Sequence, residues 1–305
     1  MKTKSAIHWI AILTMSAASA RNASAANSLD GAKIEAATGL KGTLNEAEGV
    51  FKVSAPRTDV KIKVDEWQMP PFMGLTSWAA FMPGKKAEAM VMGDLVLFQD
   101  EVNPVMSAAL DAGLSVTALH NHFFYDDPKV FFMHIIGEGT VEKLGGAVKA
   151  ALGKAKEIRA ANAVPAKMFA PNFAPAANSI TPAPLAAIFG GKATAKDGMA
   201  KFTFGRSAKM PCGCEAGSEM GVNTWAAFAG TDDNAVVDGD FCVLESELQP
   251  VLKSLRAEGV NIVAIHHHMA MEEPRYLFLH YWGKGPAEKL AGSLKKTLAL
   301  QDEKK

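Results

Sequence analysis

An internal duplication constrains this chain more than any other feature of its sequence. Residues 117–122 (TALHNH) correspond to residues 263–268 (VAIHHH), an offset of 146 positions that stays constant from residue 93 to residue 152. Farther upstream, the segment WAAF at 78–81 recurs at 225–228. A repeat of this length predicts two copies of one domain, because each copy is long enough to bury a core of its own.

The repeats divide the chain into five segments. We expect a signal peptide at 1–26, repeat one at 27–153, an Ala- and Pro-rich linker at 154–177, repeat two at 178–300 and a charged tail at 301–305. The first part of the linker could instead prolong the helix that precedes it.

The first 26 residues have the layout of a secretory signal peptide. Lys2 and Lys4 precede a largely apolar run at 6–15, and small residues follow as far as Ala26. This apolar run is shorter than the ~20 residues that a membrane span needs. We therefore expect a periplasmic or secreted protein with no transmembrane segment after cleavage.

The charge balance argues against nucleic acid as a partner. The chain has 32 basic and 32 acidic residues, and loss of Lys2, Lys4 and Arg21 with the signal peptide leaves 29 against 32, a net charge of −3. No basic stripe is present, so no nucleic-acid partner is expected. The odd number of cysteines leaves at least one thiol unpaired within the chain: Cys212, Cys214 and Cys242.

Each repeat predicts an α+β domain, with a mostly antiparallel sheet and two or three helices. Strand-like runs in repeat one are expected at 50–54, 60–64, 77–82 and 89–98. Two further strands and a closing helix complete the domain.

A helix is predicted after the fourth strand of each repeat. Asp100 is expected to open it in repeat one, and Ser246 in repeat two, where Ser246 and Gln249 form a predicted capping box. Prolines are expected in its first turn and glycines just after its end: Pro104 and Pro250, Gly113 and Gly259.

Three histidine positions are shared by the two repeats. They pair as His120 with His266, His122 with His268, and His134 with His280. Because residues two apart in a strand point to one face, the first two are expected on the face that carries Val116 and Ala118, with His267 on the opposite face. A hairpin near Pro128 would place His134 opposite one of them, so that three imidazoles converge on the inward, apolar face of the sheet.

A carboxylate at the turn completes the shared pattern H-x-H-x3-[D/E]-x7-H. Three neutral imidazoles and a carboxylate suit a divalent transition metal such as Zn, Fe, Mn, Ni or Cu. The predicted metal ligands are His120, His122, Asp126 and His134 in repeat one, and His266, His268, Glu272 and His280 in repeat two.

Other interpretations of the histidines stay open at this point. Buried imidazoles can form a hydrogen-bonded network, or they can carry out acid–base chemistry without a metal. At the level of function, a metal-binding protein competes with a metal-dependent enzyme acting on a small substrate and with a metal-free binding or envelope-interaction module.

Other conspicuous residues have simpler predicted roles. Asp94 and Asp240 each follow a glycine and are expected to hydrogen-bond a turn, with a ligand role as the less favoured alternative. Arg57 and Arg206 are expected to form structural salt bridges, with anion binding as the less favoured alternative. The segment MPCGC at 210–214 looks like a soft-metal chelate for Cu(I), but it has no counterpart in repeat one and is not expected to be a separate copper site.

Four segments together have a family resemblance: GDLVL at 93–97, TALHNH at 117–122, NTWAAF at 223–228 and FLHYWG at 278–283. They resemble the LppY/LpqO family, a bacterial domain of unknown function. The resemblance implies export and two copies of the domain, and it brings no established activity. Members named as lipoproteins have a lipobox cysteine that this chain lacks, which implies a soluble periplasmic form. Members tend to have glutamate where repeat one has Asp126.

Overall fold

A computed structural model of the chain describes residues 29–168 and 177–301. The predicted signal peptide, part of the predicted linker and most of the charged tail lie outside the described residues. Within the described ranges, no helix is long and apolar enough to cross a bilayer.

Repeat one forms three helices and nine strands in its described part. In chain order these are α1 Gly31–Thr38, β1 Gly42–Asn45, β2 Val50–Pro56, β3 Lys63–Val64, β4 Trp67–Gln68, β5 Thr76–Pro83, β6 Ala89–Phe98, α2 Gln99–Asp111, β7 Ser115–His120, β8 Asp126–Asp127, β9 Val130–Gly139 and α3 Val141–Ala161. A single 3₁₀ turn, Pro71–Met73, precedes β5.

Repeat two follows the same order with one strand fewer. Its elements are α4 Pro182–Phe189, β10 Thr194–Lys196, β11 Met199–Gly205, β12 Ala208–Lys209, β13 Glu215–Ala216, β14 Asn223–Gly230, β15 Ala235–Leu244, α5 Glu245–Ala257, β16 Asn261–His266, β17 Tyr276–Gly285 and α6 Ala287–Leu298. A 3₁₀ turn at Ser218–Met220 corresponds to the one in repeat one.

Both repeats contribute to one twelve-stranded antiparallel sheet. The strand order is β1-β2-β5-β6-β9-β7-β16-β17-β15-β14-β11-β10, so each repeat supplies one half. The halves join where β7 pairs with β16, with Leu119 opposite Ile265. The predicted α+β class is confirmed, and the two copies share a single sheet.

The main core lies between this sheet and the helices. All six helices contribute side chains to one apolar cluster that continues across both repeats. On the opposite face of the sheet there are only two small apolar clusters, one per repeat, and no helix of the described chain packs there. We call this opposite surface the open face.

Two polar side chains connect the repeats reciprocally. The Asn103 amide accepts a hydrogen bond from the backbone N–H of Ile262 (2.7 Å) and donates one to the Ile262 carbonyl (3.0 Å). At the equivalent position of repeat two, the Gln249 amide makes the same pair of bonds to Val116 (3.0 and 2.8 Å). Because each repeat makes the same pair of bonds to the other, the two repeats are related by a pseudo-two-fold axis through the β7–β16 pair.

The helices α2 and α5 begin earlier than predicted. Their N-caps are Phe98 and Leu244, so the capping box predicted at Ser246 is wrong. A buried glutamate three residues into each motif accepts from the cap backbone N–H instead, at 3.0 Å for Glu101 and 2.8 Å for Glu247. Because of the earlier start, the two prolines lie in the second turn: Pro104 and Pro250. The glycines after the helices have the expected left-handed conformation: Gly113 and Gly259.

The same glutamates explain why both repeats have an arginine at the equivalent position. Arg57 Nη1 lies 2.6 Å from Glu101, and Arg206 Nη1 lies 2.5 Å from Glu247. A buried carboxylate needs a charged partner, and each arginine supplies one. The prediction that these arginines form structural salt bridges is confirmed.

Two predicted segments differ in extent from what the sequence pattern suggested. Helix α3 continues to Ala161, so the first part of the segment 154–177 prolongs that helix. The run 60–64 is a strand only at Lys63–Val64, where it pairs with β4 and β8 in a small separate sheet.

Candidate metal centre

The shared histidines lie on the open face and not on the inward one. His120 and His266 are the last residues of β7 and β16, and their preceding neighbours Leu119 and Ile265 point into the main core. The expectation of an inward, core-facing site is therefore wrong. The sequence pattern does not distinguish the two faces of the sheet, because β9 and β17 carry apolar side chains on both.

A β-bulge accounts for the error in side-chain direction. The pairing of β7 with β9 shifts between Val116 and Ala118, and β16 with β17 shifts between Ile262 and Ala264. A bulge adds one residue and inverts the alternation beyond it. Val116 consequently points to the core, whereas His120 points away from it.

The imidazoles converge by a diagonal contact. His134 is opposite Ala118 in the strand register, not opposite His120 or His122 as predicted, yet its ring centroid lies 5.1 Å from that of His120. The equivalent rings of His266 and His280 are 4.8 Å apart and nearly parallel, at an interplanar angle of 12°.

The third histidine of each repeat lies just past its strand and is exposed. A phenylalanine on the neighbouring strand fixes its ring by stacking: the centroids are 3.4 Å apart for His122 and Phe132. The equivalent separation is 3.5 Å for His268 and Phe278. His267, which has no histidine counterpart in repeat one, contacts the backbone carbonyl of Tyr276 through Nδ1 at 3.1 Å.

The carboxylates beside the histidines are Asp94 and Asp240. Asp94 is opposite His134 in the sheet, and Asp240 is opposite His280. Both side chains are buried in the middle of strands, so the prediction that they hydrogen-bond turns is wrong. The available sequence signal was an aspartate at the same position of two largely apolar strands, directly after a glycine in both.

The glycine before each aspartate allows close backbone approach, as its position suggested. A Cβ atom on Gly239 would lie 2.1 Å from the Tyr281 hydroxyl oxygen, which itself donates to the Trp225 carbonyl at 2.9 Å. At Gly93 the same atom would lie 2.7 Å from the Trp78 carbonyl oxygen. Only glycine fits this approach.

The turn carboxylates named by the sequence pattern hold the turn itself. Asp126 accepts from the backbone N–H of Val130 at 2.7 Å and pairs with Lys129 at 2.7 Å. Glu272 Oε1 accepts from the backbone N–H of Tyr276 at 3.0 Å, while its Oε2 is buried and has no hydrogen-bond partner among the described residues. Neither belongs to the group of potential metal ligands that the described residues form.

That group consists of Asp240, His266 and His268. One ligand atom from each lies within 4.8 Å of the others, and His268 Nε2 is 3.2 Å from Asp240 Oδ2. Two ligands of a tetrahedral zinc ion, each bound at about 2.0–2.2 Å, lie about 3.3 Å apart. The spacing of the His268–Asp240 pair therefore fits two ligands of one ion.

Polar atoms without partners support the same assignment. Asp240 Oδ1 and His266 Nδ1 are buried and have no hydrogen-bond partner among the described residues. Burial raises the pKa of Asp240, and burial with the neighbouring His280 and His268 lowers the pKa of His266 to about 4. A neutral imidazole and an unsatisfied buried carboxylate are what a bound cation requires.

The first repeat arranges the same residue types differently. His134 Nε2 and His120 Nε2 are 3.0 Å apart, so one ring donates its N–H to the other. Asp94 Oδ1 is buried without a partner, and burial raises the pKa of this carboxyl. Burial also lowers the pKa of His122.

The two histidine sets are adjacent but separate. With Leu119 opposite Ile265, His120 and His266 are diagonal neighbours on the open face, about 7–8 Å apart at Cα by the spacing of antiparallel strands. The sets extend away from each other on either side of the pseudo-two-fold axis.

A tryptophan is opposite each aspartate on the open face, and a lysine packs over the ring of that tryptophan. Trp78 is opposite Asp94 and Trp225 is opposite Asp240 in the strand register. The ammonium nitrogen of Lys52 lies 4.3 Å from the centre of the Trp78 ring, and that of Lys201 lies 4.3 Å from Trp225. In repeat one these residues border a cavity of about 320 Å³.

The three cysteines lie in two places: Cys212 and Cys214 in the segment 210–214, and Cys242 two residues after Asp240, in the small apolar cluster of the open face in repeat two. Cys212 and Cys214 are exposed free thiols. Cys242 is buried on β15, where burial raises the pKa of its thiol to about 12. The buried thiol of Cys242 is therefore unreactive, whereas Cys212 and Cys214 are accessible to solvent.

Comparison with known proteins supports the duplication directly. The profile of a family described as "Domain of Unknown Function (DUF1259)" matches residues 32–154 and again residues 183–300. The chain belongs to this family. Two copies of the DUF1259 domain thus account for most of its length, and the family description assigns no activity.

Other comparisons add little to the DUF1259 assignment. No curated protein matches the chain. Among solved structures, the crystal structure of a trimeric bacterial microcompartment shell protein, PduB, is similar at 13% identity, covering 84% of this chain and 92% of that one, with a TM-score of 0.23. A similarity this low establishes nothing about fold or function.

Proposed function

We propose that this protein binds a divalent transition metal on the open face of its sheet. The ligands in repeat two are Asp240, His266 and His268, and the ring of His280 stacks on His266 beside this group. Asp240 thus takes the place that the sequence pattern gave to Glu272. The corresponding set in repeat one is Asp94, His120, His122 and His134.

The observation that supports this proposal most strongly is the buried carboxylate of Asp240, which has one unsatisfied oxygen. One ligand atom from each of Asp240, His266 and His268 lies within 4.8 Å of the others. Leaving one oxygen of a buried carboxylate without a partner is costly, and a cation would relieve that cost. Imidazole and carboxylate donors suit Zn, Fe, Mn, Ni or Cu, and a bound ion would act as a Lewis acid for any water or substrate in its remaining positions.

Elemental analysis of protein purified without a histidine tag tests the proposal. We expect one to two transition-metal ions per chain, with the repeat-two ion lost in Asp240→Asn. Glu272→Gln is the matched control, because it removes the carboxylate named by the sequence pattern, and it should retain the metal. No metal in the wild type, even after reconstitution, would refute the proposal.

We also propose that the protein is exported to the periplasm or secreted. The support is the N-terminal pattern of two lysines, an apolar run and small residues. N-terminal sequencing of the protein from a native host fraction should give a chain that begins near Asn27. A chain that retains residues 1–26 in the cytoplasm would contradict this.

A further inference from the structure

A cavity in repeat two lies apart from the open-face histidines. Its volume is about 700 Å³, within the ~300–1,000 Å³ that is typical of small-molecule sites. None of the proposed metal ligands borders it, and its lining comes from α4, β11, β17, α6 and residues next to them. This cavity therefore needs an explanation of its own.

The two repeats differ in how this space is filled. In repeat one, α3 continues past Leu152, and its residues Ala155 and Lys156 border a cavity of only about 170 Å³ at the equivalent place. Helix α6 ends at Leu298, the counterpart of Leu152, so the last part of α3 has no helical counterpart among the described residues. The shorter helix leaves the space more open in repeat two.

The arginine that borders this cavity lacks one carboxylate partner of its counterpart. Arg57 binds Glu101, and it also binds Asp59 through Nε at 3.0 Å and through Nη2 at 2.9 Å. Arg206 repeats the contact with a buried glutamate, since its Nη1 and Nη2 lie 2.5 and 3.0 Å from Glu247. Among the described residues, no second carboxylate pairs with Arg206. The Nε edge that Asp59 occupies in repeat one is therefore available to a ligand in repeat two.

A shorter connection accounts for the missing carboxylate. Lys63 and Lys209 are equivalent, because each pairs with the residue before the turn proline of its repeat. Residues 58–62 separate Lys63 from the arginine of repeat one, whereas only residues 207–208 separate Lys209 from that of repeat two. The segment that contains Asp59 therefore has no counterpart in repeat two.

The charged side chains that border the cavity are both basic. They belong to Arg206 and Lys295, and no acidic residue of the described chain borders it. Lys295 forms no ion pair in the part of the chain that the structure describes, and its Nζ donates to the carbonyl oxygen of Phe189 at 3.4 Å. Because Glu247 balances Arg206, Lys295 gives the cavity a positive charge that no described carboxylate balances.

The wall of the cavity is aromatic in repeat two only. Phe189 is buried and Phe204 is half-buried, and their ring centroids are 5.4 Å apart. The corresponding residues of repeat one are Thr38 and Ala55, which have no ring. Two packed rings of this kind form a surface against which a flat apolar group can stack.

We propose that this cavity binds a small aromatic carboxylate. The carboxylate of the ligand takes the place of Asp59 and accepts hydrogen bonds from Nε and Nη2 of Arg206, a fork that matches its two oxygens. The ring packs against Phe189 and Phe204, and Lys295 supplies the balancing charge. A phosphate, with a charge of about −1.5 to −2, exceeds that balance. The proposal involves no metal.

Calorimetric titration of the full chain with cinnamate, and with its neutral isostere cinnamamide, tests the proposal. EDTA is present throughout, so that a metal on the open face plays no part and the two proposals stand or fall separately. We expect saturable binding of cinnamate and at least about tenfold weaker binding of cinnamamide, because the amide offers no charge to the arginine fork.

Matched substitutions at the cavity locate the binding. Ser207 borders the cavity, and its hydrogen bond from the Tyr276 hydroxyl uses the backbone carbonyl, so its side chain can be exchanged. Ser207→Asp should weaken cinnamate binding at least about tenfold, because the new carboxylate competes for Arg206, whereas Ser207→Asn should keep it within about threefold. Lys295→Met should weaken binding about fivefold, as expected for one partly screened charge, and Lys149→Met at the equivalent position of repeat one should leave it unchanged.

Several results would overturn the proposal. These are no saturable binding of cinnamate, equal binding of cinnamamide, equal effects of the two Ser207 variants, and equal effects of Lys295→Met and Lys149→Met. Phosphate that binds more tightly than cinnamate would contradict the ligand class. Binding that appears only after residues 302–305 (DEKK) are removed would assign the Arg206 edge to carboxylates of the chain itself.

Discussion

The two histidine sets on the open face consist of the same residue types in different surroundings. In repeat two, Asp240 contacts His268 at 3.2 Å, whereas in repeat one the closest polar contact joins two histidines, His120 and His134, at 3.0 Å. Asp238 and Glu219 add negative charge around the second site, where the first site has the exposed side chains of Met92 and Phe72.

This difference teaches that a duplicated ligand set does not by itself make two equal sites. Nearby charge decides which copy favours a cation: the carboxylate of Asp238 further raises the pKa of Asp240, and it would also attract a metal. The first site keeps a hydrogen-bonded imidazole pair and an apolar rim. We therefore expect repeat two to bind metal more tightly, and the predictions below test that asymmetry.

The largest expected effect is stabilisation by metal through repeat two. Zinc at about 100 times its dissociation constant should raise the free energy of unfolding by about 2.7 kcal/mol. Asp240→Asn should abolish this gain and Asp94→Asn should retain most of it, as measured by thermal unfolding with and without zinc. Equal losses in the two variants would show that the sites are equivalent.

The reciprocal bonds between the repeats should also differ in strength. Asn103 is 4% exposed, whereas Gln249 is only partly buried. Asn103→Ala leaves two buried backbone groups of Ile262 without partners, so it should cost about 2 kcal/mol in urea denaturation. Gln249→Ala should cost about 1 kcal/mol, because Gln249 borders an open pocket through which water can replace its amide. The reverse order would contradict the burial difference.

A smaller effect is expected when the metal is absent. The pKa of Asp240 is raised in the folded protein, so its ionised form destabilises the fold at neutral pH, and this cost is lost as the pH falls through the raised pKa. Asp240→Asn should therefore stabilise the chelator-treated protein by about 1 kcal/mol at neutral pH. The stability difference between variant and wild type should shrink on acidification; a constant difference would point to a packing effect.

The smallest expected effect comes from exchanging the neighbouring charge. Asp238→Met should weaken zinc binding in repeat two about fivefold, and Met92→Asp should strengthen it in repeat one by a similar factor, as expected for one partly screened charge. Competition with a chromophoric chelator gives the affinities. No change in either variant would mean that another feature distinguishes the sites.

Much of the fold followed from the sequence because its signals are local. The duplication, the α+β class and the long strands follow from residue-by-residue correspondence and from hydrophobic alternation, which neighbouring residues determine. The shared sheet did not follow. It depends on the pairing of β7 with β16, which are 146 residues apart in the chain, and on reciprocal bonds from Asn103 and Gln249 that no local pattern encodes.

The site was only half predictable for the same reason. The histidine positions stand out in the sequence because they repeat, and the carboxylates predicted as ligands, Asp126 and Glu272, come from the turn next to them in sequence. Asp126 and Glu272 bond to backbone N–H groups four residues later, a local role that competes with metal binding. Asp94 and Asp240 reach the histidines only across strand pairs, and the bulge in β7 and β16 reversed the expected face.

The central strand pair has a consequence for the origin of the chain. A single DUF1259 domain built like repeat one would leave β7 as an unpaired sheet edge, and such an edge invites pairing with another strand. Two identical domains would meet through this strand in an isologous contact, with each Asn103-like amide reaching the other subunit. The two joined repeats have the geometry of such a dimer. Because the halves of one chain change independently, they can differ where a homodimer could not, as Met92 in repeat one and Asp238 in repeat two do.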